Sequence, residues 1–183
     1  MAKNLKTKVI TGIVRLSYEH VWEPASINGG EPKYSASLII PKSDKKTVAD
    51  IEAAVEAAIA EGIGKFGGKK PNKAALKLPL RDGDTEREDE AYKDSFFLNA
   101  NSKTAPQIVD RAVRPILDRN EVYSGCYIRA SLSFYAFNSG GSKGVACGLN
   151  NIQKVKDGEP LGGRANAADD FTALDDGDED FLS

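Results

Sequence analysis

The segment from Ser124 to Phe137 carries the strongest structural signal in this sequence, because small or apolar side chains stand at every second position. A period of two is typical of a β-strand that buries one face and leaves the other outside. A turn-forming run, residues 138–142, then leads into a second apolar strand from Lys143 through Ile152 or beyond. The chain is therefore expected to fold around a β-sheet that contains this hairpin. The side chains predicted to face its interior are Cys126, Ile128, Ala130, Leu132, Phe134 and Ala136.

The other face of the same strand carries three aromatic rings and an arginine, which packing alone does not readily explain. This aromatic row consists of Tyr127, Arg129, Ser131, Ser133, Tyr135 and Phe137. Bases of single-stranded nucleic acid stack on aromatic rings at about 1–3 kcal/mol each, while cations bind the phosphates. The row is therefore interpreted as a nucleic-acid-binding surface. The alternative is that a second layer covers it, either the helix or a dimer partner.

Two strands are predicted near the N-terminus. The first runs from Lys8 to Trp22 and ends at Glu23-Pro24, and the second runs from Lys33 to Ile40 and ends at Pro41. A turn at residues 28–32 separates them. The predicted inward residues are Ile10, Val14, Leu16 and Tyr18 in the first strand and Tyr34, Ala36, Leu38 and Ile40 in the second. The predicted outward residues are Arg15, Ser17, Lys33, Ser35 and Ser37.

One helix is predicted between these strands and the rest of the sheet. It begins at a cap provided by Ser43 or Asp44 and runs to about Gly62. Short strands are also predicted at residues 95–99 and around Pro115, at residues 113–117, and residues 62–77 are expected to form a mobile basic loop. Short antiparallel strands with a single helix predict a mainly β fold, a Greek-key barrel with elaborated loops. The apolar stripe of the helix is Val48, Ile51, Val55, Ala58 and Ile59.

Charge divides the chain into two parts. The whole chain has 25 basic and 27 acidic residues, but seven of those acids and no base lie in the stretch from Asn166 to Ser183. The body is therefore net basic and the tail strongly acidic, which favours a body that binds nucleic acid and a tail that binds proteins or folds back on the body. Residues 1–160 are assigned to one domain and 161–183 to a flexible tail. The residues assigned to a protein-docking function are Asp175, Asp176, Asp178, Glu179, Asp180 and Phe181.

Composition limits the class of protein. A hydrophobic fraction of 40% and a charged fraction of 28% are ordinary for a soluble globular domain. No apolar run approaches the roughly 20 residues that a membrane span needs. The N-terminus has no signal-peptide pattern, so a cytosolic protein is expected. Cys126 and Cys147 lie in apolar runs without metal-ligand spacing, which predicts buried, reduced thiols.

No segment matches a catalytic or metal-binding motif. The basic loop at residues 65–73 lacks the spacing of a phosphate-binding loop. The acidic loop that begins at Asp82 has Arg87 where a calcium loop needs glycine and Lys93 where it needs glutamate. His20, the single histidine, is interpreted as structural. No catalytic residue, metal or cofactor is therefore assigned, and the protein is expected not to be an enzyme.

Several long strings resemble the single-stranded-DNA-binding proteins of tailed bacteriophages, a family formerly described as a domain of unknown function. The strings are those at residues 15–22, 34–42, 80–84, 123–130, 134–138 and 144–153. The resemblance implies an oligonucleotide-binding (OB) barrel, sequence-tolerant binding of single-stranded DNA, and a role in phage DNA replication or recombination in the cytoplasm of the host cell. It also implies that the acidic tail recruits replication or recombination proteins.

The predicted DNA-binding residues follow from the analysis of strand faces and basic loops. Tyr127, Arg129, Tyr135 and Phe137 would form the stacking platform, and Arg15 and Lys33 would hold phosphates. Lys65, Lys69, Lys70 and Lys143 would extend the positive path, and Trp22 is equally compatible with stacking on a base and with packing in the core.

Three other functions remain open from the residues alone, and one of them, active annealing of strands, is not shown by binding itself. A metal-dependent phage nuclease would use Asp82 and Asp84. A protein-interaction adaptor would use the aromatic row as the interface of a homodimer and would bind no DNA.

Overall fold

The computed structural model describes residues 6–26, 29–161 and 171–174. Short 3₁₀ turns lie at Ile63–Phe66, Lys73–Ala75, Glu90–Tyr92 and Arg119–Glu121. The strands and helices in chain order are β1 (Lys8–Ile10), β2 (Val14–Ala25), β3 (Lys33–Pro41), α1 (Lys45–Glu61), β4 (Arg81–Asp82), α2 (Gly83–Glu86), β5 (Ser95–Ser102), β6 (Gln107–Val109), β7 (Tyr127–Ser139) and β8 (Ser142–Lys156).

Five of the strands close into a barrel. Neighbouring strands pair in the order β2–β3–β5–β8–β7, and β7 returns to pair with β2. All of these pairings are antiparallel except that between β5 and β8, which is parallel. This is the closed five-stranded Greek-key arrangement of an OB barrel. The mainly β, OB-like fold with one main helix is confirmed.

The alternation read from residues 124–137 is confirmed along β7. Its even-numbered residues from Ile128 to Ala136 are buried, and its odd-numbered residues are half-buried or exposed. Gly140 and Gly141 join β7 to β8 with φ of 58° and 81°, a pair of positive values that a two-residue hairpin turn requires and that glycine adopts without strain. The β7–β8 hairpin therefore follows directly from the sequence.

The helix is also confirmed, and its cap ties it to the barrel. The Asp44 carboxylate accepts hydrogen bonds from the Thr47 backbone N–H, at 3.1 Å, and from the Thr47 hydroxyl, at 2.6 Å. The Thr47 hydroxyl in turn accepts the N–H of Gly12, at 2.9 Å. The predicted stripe faces the core, where Ile51, Val55, Ala58 and Ile59 are buried and Val48 is partly buried. The cap therefore fixes where α1 begins relative to the connection between β1 and β2.

The first predicted strand is wrong in two respects. It is interrupted at residues 11–13, because Thr11 pairs its backbone and hydroxyl with Ala130 and so ends β1. It also continues past Glu23-Pro24 to Ala25. Ile10 and Tyr18, predicted to face inward, are 57% and 62% exposed.

A second, smaller core lies outside the barrel and explains two further differences. Tyr92 and Phe97 pack edge to face, with ring centroids 5.3 Å apart, and cover the outer side of Ile39. The Tyr92 hydroxyl donates to Ser17 Oγ at 2.9 Å, and it also lies 3.4 Å from Ser37 Oγ. Ser17 and Ser37, predicted to face outward, are therefore buried beneath it.

The loops differ from the sequence expectation as well. Residues 113–117 contain no strand, because Asp110 holds a tight turn there by accepting the N–H groups of Ala112 and Arg114. The basic segment at residues 62–77 contains two 3₁₀ turns, and Lys77 pairs with Lys143 and Val145 of β8. β4, α2 and β6 are elements that the sequence analysis did not predict.

The chain after β8 returns to the barrel as a strap, residues 157–161. The N–H of Leu161 donates to Ser124 O at 2.9 Å, and its side chain packs on the second core. A Cβ on Gly158 would lie 2.1 Å from Gly125 O, so the two backbones touch there. The folded chain therefore reaches Leu161, and the predicted docking residues of the tail, 175–181, lie outside the described residues.

Replacing Gly144 by alanine is expected to destabilise the fold by about 1–3 kcal/mol, the usual range for overpacking. A Cβ at Gly144 would lie 2.1 Å from Lys77 O, a backbone atom that cannot move aside cheaply. Gly148→Ala, on the same strand, is the matched control, because its Cβ would meet nothing closer than 3.4 Å. Urea denaturation of both variants measures the difference, and equal midpoints would contradict the packing argument.

Candidate nucleic-acid interface

A groove of about 600 Å³ runs over the outer face of β2, β3 and β5. In the order of the barrel, β3 and β5 are the second and third strands, and this is the face on which OB folds bind oligonucleotides. Tyr18, His20, Lys33, Asn99 and Asn101 are among the residues that line it. The groove therefore offers a ring, a cation and two side-chain amides along one surface.

A bulge in β2 lies at the groove. Ser17 lies opposite Ser37 and His20 lies opposite Ser35, so two residues of β2 oppose one residue of β3. Tyr18, at the bulge, has a φ of 45° and is 62% exposed. A tyrosine held in this left-handed conformation is uncommon, and such outliers cluster at functional sites. The bulge turns its ring from the predicted core position to the groove.

The strand register extends this surface around the barrel as a cross-strand row. Each member of the row lies directly opposite the next member, which is on the neighbouring strand. Side chains paired in this way on the outer face of the sheet are close in space. Its members are small, polar or basic, so they leave the sheet open to a ligand that crosses all six strands. The cross-strand row consists of His20, Ser35, Asn101, Gly148, Ser133 and Lys8.

Tyr135 stands beside the cross-strand row and is the predicted aromatic residue that the structure leaves most open. Its side chain is 46% exposed. A Cβ on Gly148 would lie 3.8 Å from its Cε1, so the ring lies next to Gly148 of the cross-strand row. Phe137, two residues along β7, is half-buried opposite Gly144. Tyr18 and Tyr135 therefore provide rings near the two ends of the row.

Tyr127 and Arg15, also predicted as site residues, are instead engaged with the strap. The Arg15 guanidinium lies 5.5 Å from the centroid of the Tyr127 ring, and Lys156 lies 4.9 Å from the same centroid. Arg15 also donates to Gly125 O at 3.0 Å and to Glu159 O at 2.6 Å. The structure therefore places this pair away from the groove and gives it a role in holding the C-terminal strap.

Trp22 has a clear structural role. Its indole N–H donates to Val122 O at 2.9 Å, and its ring packs partly buried against the main core. Of the two interpretations left open by the sequence, these contacts favour packing.

The predicted lysines fall into two groups. Lys33 lines the groove and is half-buried, and within the described part of the chain it has no ion pair. Lys65 and Lys143 flank the β7–β8 hairpin, where Lys65 donates to Ala136 O at 3.1 Å. Lys69 is exposed, and Lys70 lies 3.7 Å from Glu56. The structure therefore brings Lys65 and Lys143 to the hairpin and leaves Lys33 at the other end of the row.

Lys8 and Asn101 are candidate residues that the sequence analysis missed. Neither lies on the strand that carried the aromatic signal, and both enter the row only through strand register. Strand order was needed to find them, because one sequence does not reveal which strands are neighbours.

The acids of the nuclease hypothesis are occupied by structural contacts. Lys42 lies 2.8 Å from the Asp82 carboxylate and 2.7 Å from that of Asp84, and these bonds hold both pKa values below the usual range of aspartate. Asp84 also accepts the N–H of Asp94 at 2.9 Å. In the described ranges, no group of His, Cys, Asp or Glu is arranged to hold a metal ion.

The cysteines are buried and free, as predicted, and burial raises the pKa of the Cys147 thiol far above its usual range. Among the described residues, no helix is both long and apolar enough to cross a bilayer.

Comparisons with known proteins agree with this architecture. A curated relative, "Putative protein p50" of Acyrthosiphon pisum secondary endosymbiont phage 1, is 32% identical over 96% of this chain and 98% of its own length. The solved structure of the single-stranded DNA-binding protein from bacteriophage Enc34 is 25% identical, with a TM-score of 0.72 over 90% of this chain and 89% of that one.

Two further solved structures, each less than 25% identical to this chain, support the fold alone. The Enc34 protein in complex with single-stranded DNA matches at 24% identity, with a TM-score of 0.75 over 85% of this chain and 90% of that one. The single-stranded DNA-binding protein gp2.5 of bacteriophage T7 matches at 15% identity, with a TM-score of 0.63 over 90% of this chain and 94% of that one.

The family model described as "Enterobacter phage Enc34, ssDNA-binding protein" matches residues 7–182, nearly the whole chain. The protein therefore belongs to the Enc34 family of phage single-stranded-DNA-binding proteins.

Proposed function

We propose that this protein binds single-stranded DNA in the groove over β2, β3 and β5, with little dependence on base sequence and without catalysis. The observation that carries the proposal is the cross-strand row, an open path of small and polar residues with an aromatic ring near each end. Its place on the barrel is the usual binding face of OB folds. The family and its Enc34 member, described as a single-stranded DNA-binding protein, support the same function.

Each part of the interface would have its own task. Bases would stack on Tyr18 and Tyr135, since any base offers a flat face to a ring. Lys33 and Lys8 would bind phosphates along the row. The path would be extended by Lys65 and Lys143 at the hairpin, by Lys69 and Lys70 in the basic segment, and by Phe137 and Arg129 on β7. Tyr127, Arg15 and Trp22 would contribute to binding indirectly, by stabilising the barrel surface around the interface.

The acidic tail would have two tasks in phage DNA replication or recombination, in the cytoplasm of the host cell. Its negatively charged carboxylates would be attracted to the lysines of the proposed DNA path. The tail would therefore compete with DNA for those lysines. Its terminal Phe181 and the surrounding acids would dock on replication or recombination proteins.

Removing either of the rings near the ends of the cross-strand row is expected to weaken DNA binding by about tenfold. Tyr18→Ala and Tyr135→Ala each delete one stacking surface, worth about 1–3 kcal/mol per base. Tyr18→Phe and Tyr135→Phe are matched controls, because they keep the ring and lose only the hydroxyl. Fluorescence anisotropy of labelled oligo(dT), with duplex DNA as competitor, measures the affinity. Equal loss in the alanine and phenylalanine variants would contradict stacking.

Lys33→Gln is expected to weaken oligo(dT) binding and to lower its salt dependence. One phosphate contact on single-stranded DNA contributes about 0.7 to the slope of log K against log salt. Lys93→Gln is the control, because Lys93 is exposed in the loop before β5 and outside the groove. Anisotropy titrations at a series of salt concentrations give the slope. An unchanged slope in Lys33→Gln would remove Lys33 from the phosphate path.

Deleting residues 167–183 is expected to tighten oligo(dT) binding at low salt, because it removes the competing carboxylates. The gain should shrink as salt rises, since screening weakens both the tail–groove and the DNA–groove contacts. The same titration on the truncated and full-length chains measures the effect. Identical affinities at every salt concentration would show that the tail does not compete.

A further inference from the structure

A second and narrower depression lies beyond the groove, on the outer face of β7 and β8. This slot has a volume of about 180 Å³ and lies between the short strands β1 and β6. Ile10 and Val113 form its rims and are 57% and 67% exposed, and Ile152 and Ser131 lie in its lining. Large apolar side chains left open on both sides of a slot indicate a surface that a ligand covers.

Ser131 supplies an independent sign of a missing partner. Its hydroxyl is closed off from solvent, and among the side chains that the structure describes it alone is buried without a hydrogen bond. Buried polar groups are nearly always paired, and an unpaired one carries a cost in the free protein. Ser131 lies directly opposite Ile10 of β1 and Asn151 of β8, so its position is the middle of the slot.

The Val113 rim is held in an unfavourable backbone conformation. Val113 has a φ of 63°, which is a genuine outlier for a β-branched residue. Its N–H donates to Asp110 O at 3.0 Å, and the Asp110 carboxylate accepts the neighbouring N–H groups of Ala112 and Arg114. Val113 is not part of the main core. Its position at the edge of the slot is therefore set by this turn.

Polar groups of defined chemistry surround the apolar rims. Arg129 is exposed, and its Nε donates to Thr11 O at 3.0 Å, which leaves its terminal nitrogens without a partner in the described part of the chain. Gln153 also lines the slot, and it donates through Nε2 to Asp110 O and Arg111 O. An apolar slot with a hydroxyl, two amides and a guanidinium suits a flat heterocycle next to a phosphate.

The slot is continuous with the interface described above. Ser131 is two residues from Ser133 of the cross-strand row, about 7 Å along β7 at the usual rise of a strand. Lys8, the last member of the row, is two residues from Ile10 on the slot rim. A strand of DNA that follows the row to Lys8 therefore arrives at the slot.

We propose that the slot binds one nucleobase of the single-stranded DNA that leaves the groove, with Arg129 on the adjacent phosphate. The base enters between Ile10 and Val113, and its polar edge meets the Ser131 hydroxyl when these exposed side chains move aside. This inference rests on the proposed function and adds a separate subsite to it. It also explains why β7 carries an arginine and two serines on a face outside the main groove.

The test uses the full-length chain and labelled oligo(dT) from about 4 to about 16 nucleotides, the range of OB-fold site sizes. Ser131→Leu fills the slot, and Ser131→Ala removes the hydroxyl. Both are expected to lower the affinity for long oligonucleotides roughly three- to tenfold and to leave that for the shortest ones unchanged. Ser43→Ala, an exposed serine in the turn before α1, is the matched control.

Thermal unfolding separates this role from a structural one. Because the hydroxyl has no hydrogen-bond partner among the described residues, Ser131→Ala should melt at the same temperature as the wild type or higher. A lower melting temperature together with unchanged affinity would overturn the proposal in favour of a purely structural serine.

Two further outcomes distinguish a failure of the slot proposal from a failure of the proposed function. Normal binding with the same length dependence in all Ser131 variants would overturn the slot and leave the groove intact, whereas absence of binding by the wild type at any length would overturn the proposed function itself. Sedimentation of the wild type and of Ile10→Glu tests a second copy as the occupant. A dimer that Ile10→Glu disrupts would assign the slot to self-association and not to DNA.

Discussion

The pairing of β7 with three other strands is the constraint on which the rest of the structure depends. Its first residues pair with β2, its middle residues pair with β1, and almost its whole length pairs with β8. These pairings close the barrel and leave the odd-numbered side chains of β7 outside. Because side chains alternate with a period of two, a shift of one residue would bury Tyr135 and expose Phe134. The register of this strand therefore fixes the core, the cross-strand row and the slot together.

Much of the fold could be predicted from the sequence, because β7, β8 and α1 carry uninterrupted patterns and clear end signals. Asp44 and Gly62 bound the helix, and Gly140-Gly141 fixes the hairpin. The errors occur where tertiary contacts override local pattern. Tyr18 leaves the core because of a bulge, and Ser17 is buried because Tyr92, distant in sequence, covers it. The alternation of side chains along a strand predicts neither the bulge at Tyr18 nor the covering of Ser17 by Tyr92.

The candidate site was harder to predict than the fold. The aromatic row pointed to β7, which contributes Ser133 and Tyr135 to the candidate site, but the structure engages Tyr127 and Arg15 with the strap and leaves Tyr135 open. The small and uncharged members of the cross-strand row are two serines, one asparagine and a glycine, residue types that are common in loops and strands alike. Their significance lies in being adjacent across strands, and adjacency between β5 and β8 is a parallel contact between segments far apart in the chain. Such a site is visible only after the strand order is known.

The strap determines how a contact between the acidic tail and the barrel would depend on protein concentration. Leu161 is fixed to the barrel by its bond to Ser124, and it shares a cavity with Tyr18 and His20, which also line the groove. Leu161, the last described residue before the acidic segment, thus lies beside the groove. A tethered ligand meets its site at an effective concentration set by the tether, in the millimolar range for short flexible linkers, whatever the protein concentration. Contact between the tail and its own barrel would therefore be unaffected by dilution, whereas docking of the tail on a separate protein would be lost on dilution.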